Sequence, residues 1–263
     1  MRTHLDLFSG IGGFALAARW NGIETIGFCE IEKYAQKVIS KHWPKVRLHS
    51  DIFTLNGADY AGVWLVTGGF PCQPFSVAGK RRGKEDNRHL WPEMLRVIAE
   101  AGPAWVLGEN VPGIISMELD NVLSDLENIG YSAWPIVIPA CAVDARHRRD
   151  RVWIAANAEH DGRRADQPRR QEEGRASTGG NGKAVANVQR AGLEKRQVEP
   201  ARQECQAAER GGRWLPEPDV GRVAHGVSSR VDRLKGLGNS IVPQVAAEII
   251  RLMILAENEQ RLD

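Results

Sequence analysis

The sequence predicts an α/β fold built on a doubly wound, mostly parallel sheet. Three observations carry the prediction. Short apolar runs alternate with amphipathic helical stretches from Leu5 to Ala156, the pattern of successive βα units. The first run passes into a glycine turn, Ser9-Gly10-Ile11-Gly12-Gly13, and then into an Ala-rich helix. Acids or a cysteine stand at the ends of successive runs (Glu30, Asp51, Cys72, Glu109), the edge at which open α/β sheets hold their ligands.

Taken in order, His4–Phe8 reads as the first strand and Phe14–Trp20 as the first helix. The glycines between them let the backbone approach a ligand closely, although the spacing is not GxGxxG. Glu24–Phe28 is a second strand, followed by Cys29-Glu30 and a helix over Lys33–Ser40. An acid just past the second strand, about 20 residues after a glycine turn, is where a ribose hydroxyl pair is held. Glu30 occupies that place, and a helix N-terminal acid favoured by the dipole is the alternative. Val46–His49 is a third strand, leading to Asp51. Val63–Val66 is a fourth, delivering Cys72. A helix is expected over Arg88–Ala101, a fifth strand over Ala104–Leu107, a helix over Leu119–Ile129, and strands over Tyr131–Pro139 and Val152–Ala156. Near the end, Arg230–Lys235 forms a helical turn that Gly236-Leu237-Gly238-Asn239 breaks. Ser240 then caps a last helix whose apolar face (Val242, Val245, Ala246, Ile249, Ile250, Met253) packs on the sheet beside the first helix.

Composition narrows the function. The chain has 263 residues, 42% hydrophobic and 26% charged, and a net charge of +2 from 35 basic and 33 acidic residues. Global charge does not announce a nucleic-acid binder, so such a role must rest on local patches. The four cysteines form no CxxC pair; neither a zinc site nor a redox dithiol is signalled, and no metal is expected. No signal peptide and no apolar stretch long enough to span a bilayer are read from the sequence, so a cytoplasmic setting with reduced thiols is expected.

The stretch Gly68-Gly69-Phe70-Pro71-Cys72-Gln73-Pro74-Phe75-Ser76 is distinctive. Two prolines fix the backbone on either side of one cysteine, an arrangement that suits a sulfur presented at a defined angle as a thiolate nucleophile. A structural cysteine in a Pro-rich turn is the alternative. The basic loop Val77–Lys84 follows, either a solvated run or a lid on a phosphate backbone. Glu109-Asn110-Val111 places a second acid at a strand end, and Arg146-His147-Arg148-Arg149-Asp150-Arg151 precedes the last strand.

Together these residues carry a resemblance. Asp6–Gly13, Pro71-Cys72-Gln73, Glu109-Asn110-Val111, Arg149-Asp150-Arg151 and Gly238-Asn239-Ser240 stand in the order seen in cytosine-carbon-5 DNA methyltransferases of the bacterial and phage type. The resemblance covers Leu5 to Ala156 and Arg222 onward. It implies a Rossmann-like methyltransferase fold that binds S-adenosylmethionine, releases S-adenosylhomocysteine, and acts on a cytosine flipped out of duplex DNA. Cys72 would add to carbon 6, Glu109 would hold or donate a proton at N3, Arg151 would donate to O2 and Arg149 would brace the cysteine loop. Phe8, Gly10, Ile11 and Gly13 would surround the methionine part and one adenine face. Glu30 would bind the ribose, with Ile31 against the adenine, and Asp51 and Ile52 would read the adenine edge. Pro71 and Leu90 would line the cleft, and Asn239 and Ser240 would close it. The basic cluster departs from the family pattern, with Arg146 and His147 where the family has Pro and Gln. A monomer is expected, with a cognate restriction enzyme in the same host as a further partner. The same chemistry on tRNA, or a catalytically inactive DNA-binding module, are the alternatives.

Residues 157–212 lack aromatic side chains and are poor in branched apolar ones, too few to offset the entropy of ordering. The expected organisation is a catalytic and cofactor-binding domain over 1–156, a short, partly disordered target-recognition region over 157–226, and a C-terminal segment over 227–263 that returns to the catalytic domain.

Overall fold

The computed structural model describes residues 1–71, 90–158 and 230–260. Cys72, the basic loop after it and nearly all of the expected target-recognition region lie outside the described residues. All the described residues fall in one compact unit.

In chain order the elements are β1 (Thr3–Leu7), α1 (Gly13–Trp20), β2 (Glu24–Cys29), α2 (Lys33–His42), β3 (Arg47–His49), β4 (Leu65–Gly68), α3 (Trp91–Ala101), β5 (Trp105–Asn110), α4 (Ile114–Met117), α5 (Leu119–Asn128), β6 (Tyr131–Pro139), β7 (Asp150–Ala158), α6 (Arg230–Asn239) and α7 (Pro243–Gln260). The strands form one sheet in the order β3-β2-β1-β4-β5-β7-β6. The pairings β3-β2-β1-β4-β5 are parallel, and β7 is antiparallel to both neighbours. The chain winds outward from β1 to β3, then returns to β4 on the other side of β1. That reversal makes the carboxyl ends of β1 and β4 a topological switch point, where a crevice opens.

Strand alternation divides the core into two layers. Leu5, Leu7, Val66, Val106 and Ile154 face α3 and α5, meeting Met94, Val97, Ile98, Val122 and Leu126. Leu65, Leu107 and Trp153 face α1 and α7, meeting Phe14, Ala18, Val245, Ile249 and Ile250. Helices cover both faces, which is why β4 and β5 carry consecutive apolar residues, Leu65-Val66 and Trp105-Val106-Leu107. The α1–α7 packing agrees with the expectation from α7's apolar face. By length and composition alone, Gly236–Glu259 is apolar enough to cross a membrane, so the sequence does hold one such stretch; Val245, Ala246, Ile249, Ile250 and Met253 of this stretch are buried in the core.

Polar side chains also enter the core. His4 and Asp6 of β1, Thr25 of β2 and Thr67 of β4 are all buried. His4 Nδ1 lies 3.0 Å from Thr25 Oγ1 and its Nε2 2.8 Å from Thr67 Oγ1, while the Thr67 hydroxyl donates to Asp6 Oδ1 at 3.0 Å. Burial holds the His4 imidazole down to about 3 and pushes the Asp6 carboxyl well above the usual carboxylate range.

Two local expectations are corrected near the C-terminus. The helix beginning at Arg230 does not break at Gly236 but runs on to Asn239. A helical glycine costs only about 1 kcal/mol, and Gly236 permits close approach: a Cβ there would lie 3.3 Å from Ile11 Cγ2 and 3.6 Å from Tyr34 Cε1. Ser240 caps no helix. The last helix starts at Pro243, a residue suited to a first helical position, and the Ser240 hydroxyl donates to the Ile241 carbonyl at 3.1 Å.

Candidate active site

A cleft of about 560 Å³ opens at the carboxyl edge of the sheet, over the switch point. On one side, the turn after β1 and the end of β2 are joined by Glu30. Its Oε2 accepts from the Gly10 amide at 2.6 Å and its Oε1 from the Glu32 amide at 2.7 Å. Burial raises the Glu30 carboxyl, and these two amides oppose the rise. Gly10 has φ +53°, and a Cβ built on it meets nothing within 4 Å, so conformation rather than packing requires glycine there. After β3, Asp51 Oδ1 accepts from the Phe53 amide at 2.9 Å, capping the short 3-10 turn Ile52–Thr54. Ile31 (75% exposed) and Phe53 (58%) leave apolar surface open at the cleft.

The other side is built by β4, β5 and β7. Pro71, the residue before Cys72, lines the cleft with Gly69 and Phe70. At the end of β5, Asn110 is buried, and its side chain ties the β4 exit to the β5 exit through the Phe70 carbonyl. Its neighbour Glu109 forms an ion pair with Arg151 Nε at 2.9 Å. The antiparallel course of β7 produces this pair, because it brings the start of β7 to the end of β5. Burial pushes the Glu109 carboxyl up, against the opposing charges of Arg151 and Arg149. Arg149 lies just before β7 with φ +39°.

Of the residues proposed from the sequence, Phe8, Gly10, Ile11, Glu30, Ile31, Asp51, Ile52, Pro71, Leu90, Glu109, Arg149, Arg151 and Asn239 come together around this one cleft. Gly13 and Ser240 are not among its lining residues. Gly13 starts α1 and is a packing position, where a Cβ would lie 2.7 Å from Ile241 Cγ1. Ser240 meets Arg149 through its carbonyl. Sequence reasoning missed Tyr34, Phe53 and Asp232, which also line the cleft. Phe53 could have been found from its place directly after the Asp51-Ile52 strand end; Tyr34 and Asp232 carry no such signal, because they sit within helices.

The residues present fit S-adenosylmethionine. A carboxylate held by two amides, a second strand-end carboxylate, open space above Gly10 and exposed apolar side chains suit a cationic molecule carrying a ribose and a flat base.

This sheet order, with one antiparallel strand and a cleft at the switch point, defines the Rossmann-like methyltransferase class. The chain belongs to the C-5 cytosine-specific DNA methylase family, whose family model matches residues 2–206. It is 35% identical over 158 residues to the type II methyltransferase M.HgiCII of Herpetosiphon aurantiacus, covering 57% of this chain and 36% of that protein. It is 33% identical over 155 residues to the type II methyltransferase M.HhaI of Haemophilus parahaemolyticus, covering 57% of this chain and 47% of that protein. The match thus spans less than half the length of these curated relatives. Among solved structures, the Dnmt2 methyltransferase of S. pombe aligns with a TM-score of 0.54 and 26% identity, covering 62% of this chain and 52% of that one.

Proposed function

We propose that the protein transfers a methyl group from S-adenosylmethionine to carbon 5 of a cytosine flipped out of a specific duplex DNA sequence, through a covalent bond between Cys72 and carbon 6. The observation that carries this reading is the half-buried Glu109–Arg151 pair, facing the same cleft as Glu30 and Asp51.

Glu30 would receive the ribose hydroxyls while keeping the Gly10 turn in place. Asp51 would accept from the adenine amino group through an oxygen not taken by the Phe53 amide, with Ile31 and Ile52 against the base. When bound, S-adenosylmethionine supplies an electrophilic methyl group.

Carbon 5 of cytosine is a weak nucleophile, and the residues on the β4–β5 side would change that. The Cys72 thiolate adds to carbon 6, and the displaced electron pair moves toward N3. Glu109 gives or shares a proton at N3, which needs a carboxyl protonated more readily than usual; its burial supplies this. Arg151 orients Glu109 and donates to O2. Carbon 5, now part of an enamine, takes the methyl group. Loss of the carbon-5 proton to a base then expels Cys72 as thiolate, and the N3 proton returns to Glu109.

Target choice would reside in residues 157–226, with 1–156 and 227–263 supplying the common chemistry. The enzyme would act as a cytoplasmic monomer, alongside a cognate restriction enzyme. The test is transfer of a labelled methyl group to duplex DNA and, in parallel, to tRNA. Label on carbon 5 of cytosine in DNA alone is expected. Label in tRNA alone moves the acceptor to RNA, and label in neither removes the enzymatic reading.

A further inference from the structure

We propose that Arg149 is a positioning residue that docks the C-terminal wall of the cleft onto the strand bearing Arg151, and that it acts on the cofactor through Asn239. The proposal rests on reading the cleft as a cofactor site.

Arg149 Nη2 donates to the carbonyls of Gly238 at 2.7 Å and Ser240 at 2.8 Å. These partners lie 89 and 91 residues further along the chain, beyond the whole region between β7 and α6. The two carbonyls bracket Asn239, the last residue of α6, and Asn239 lines the cleft. The last carbonyls of a helix have no partner within the helix and carry the negative end of its dipole. A guanidinium suits that position, with a fork of donors able to serve two carbonyls at once. Arg149 therefore caps the C-terminal end of α6 from a distant strand.

Two further features fix this segment. Arg149 adopts φ +39°, in the left-handed region that side-chain-bearing residues rarely visit. On the opposite side, Gly13 at the start of α1 leaves room for Ile241, whose Cγ1 would lie 2.7 Å from any Cβ there. Residues 238–241 are thus seated between the start of β7 and the start of α1. Two residues after Arg149, Arg151 pairs with Glu109. One three-residue stretch therefore carries both the cofactor wall and the partner of the proposed proton donor. The family resemblance assigned Arg149 to the cysteine loop, which lies outside the described residues; among the described residues its hydrogen bonds go to the C-terminal segment.

The experiment uses S-adenosylhomocysteine as the probe, titrated calorimetrically into the full-length protein. A hydrogen bond to a charged group is worth enough that Arg149→Ala should weaken binding by about tenfold or more. Arg149→Lys should recover part of the loss, and added guanidinium ion should restore binding to Arg149→Ala. Asn239→Ala should weaken binding in the wild type yet change it less than about twofold in the Arg149→Ala background, because residues acting through one another are not additive. In turnover, KM for S-adenosylmethionine should rise while kcat at saturation stays within about threefold. Amide exchange over residues 238–242 should quicken in Arg149→Ala but not in Arg151→Ala.

Additive losses, or unchanged probe binding with a collapsed kcat, overturn the proposal and return Arg149 to bracing the cysteine loop. If Arg149→Ala does not fold, Arg149→Lys and its amide exchange decide in the same way. A wild type that binds the probe in an Arg149-dependent manner but methylates nothing sinks the methyltransferase reading and leaves the docking role standing. A wild type that binds no probe sinks the cofactor reading, and exchange unaltered by Arg149→Ala sinks the docking role.

Discussion

Asn110 Nδ2 donates to the Phe70 carbonyl at 2.9 Å, and Asn110 Oδ1 accepts from the Val111 amide at 2.9 Å. One buried side chain thus joins the end of β5 to the chain two residues before Cys72. Asn110→Ala leaves the buried Phe70 carbonyl without this donor. The variant should be less stable by about 1–3 kcal/mol and should turn over slowly, while binding S-adenosylhomocysteine nearly as well as the wild type. Denaturant melts and calorimetry check this together; an equal fall in cofactor affinity would mean that Asn110 shapes the whole cleft.

Glu109→Gln removes the proposed proton donor and keeps a side chain of similar size. General acid help is typically worth about 100- to 10,000-fold, so single-turnover methyl transfer should slow within that range while DNA binding changes little. In the wild type, burial raises the Glu109 carboxyl, so the rate should fall as pH rises through its elevated value. That falling limb should be absent in Glu109→Gln. A rate within twofold of wild type would move the acid elsewhere.

Glu30→Gln replaces one acceptor oxygen with an amide donor, so the side chain can no longer accept from both Gly10 and Glu32. Affinity for S-adenosylhomocysteine should fall by about ten- to a hundredfold, with DNA binding in the absence of cofactor unchanged. Calorimetry and gel shift measure the two separately. Unaltered cofactor affinity would leave Glu30 as a purely structural tie between the turn after β1 and the end of β2.

His4 gives a pH dependence of stability. Its ordinary value is 6.5 and burial holds it near 3 in the fold. The unfolded chain therefore binds the proton more readily, so the stability contributed is full above 6.5 and is lost as pH falls toward 3. The slope approaches about 1.4 kcal/mol per pH unit within that window. Buried Asp6 shifts the opposite way, so the His4 contribution is best read as the difference between wild type and His4→Gln in denaturant melts at each pH. Parallel curves for the two proteins across the window would show that His4 takes up its proton without unfolding.

The strands were legible because helices cover both faces of the sheet, so β4 and β5 show themselves as apolar runs, and β1 shows itself through Leu5 and Leu7. Their ends were less legible. β4 continues through Thr67 and Gly68, where a threonine looks like a strand exit but pairs with His4 and Asp6 in the interior. The cleft residues near β1, β2, β3 and β5 could be placed because each follows a strand end. Arg149, Arg151 and Asn239, brought there by long-range contacts, could be placed only through the family resemblance. Gly13 also makes room for Ile241, 228 residues away in a segment whose docking no local pattern reports. Arg149 likewise shows its carbonyl partners only once the chain has returned from the region after β7. Gly236 was misread because a glycine that ends a helix and one that lets two elements touch look alike in sequence.

The most direct measurement is bisulfite sequencing of DNA recovered from cells expressing either the wild-type protein or Cys72→Ala. Cytosines protected from conversion at one recurring short sequence, in the wild type and not in Cys72→Ala, are the predicted result. Complete conversion in the wild type, or the same protected sites in Cys72→Ala, would contradict methyl transfer to cytosine through a Cys72 adduct.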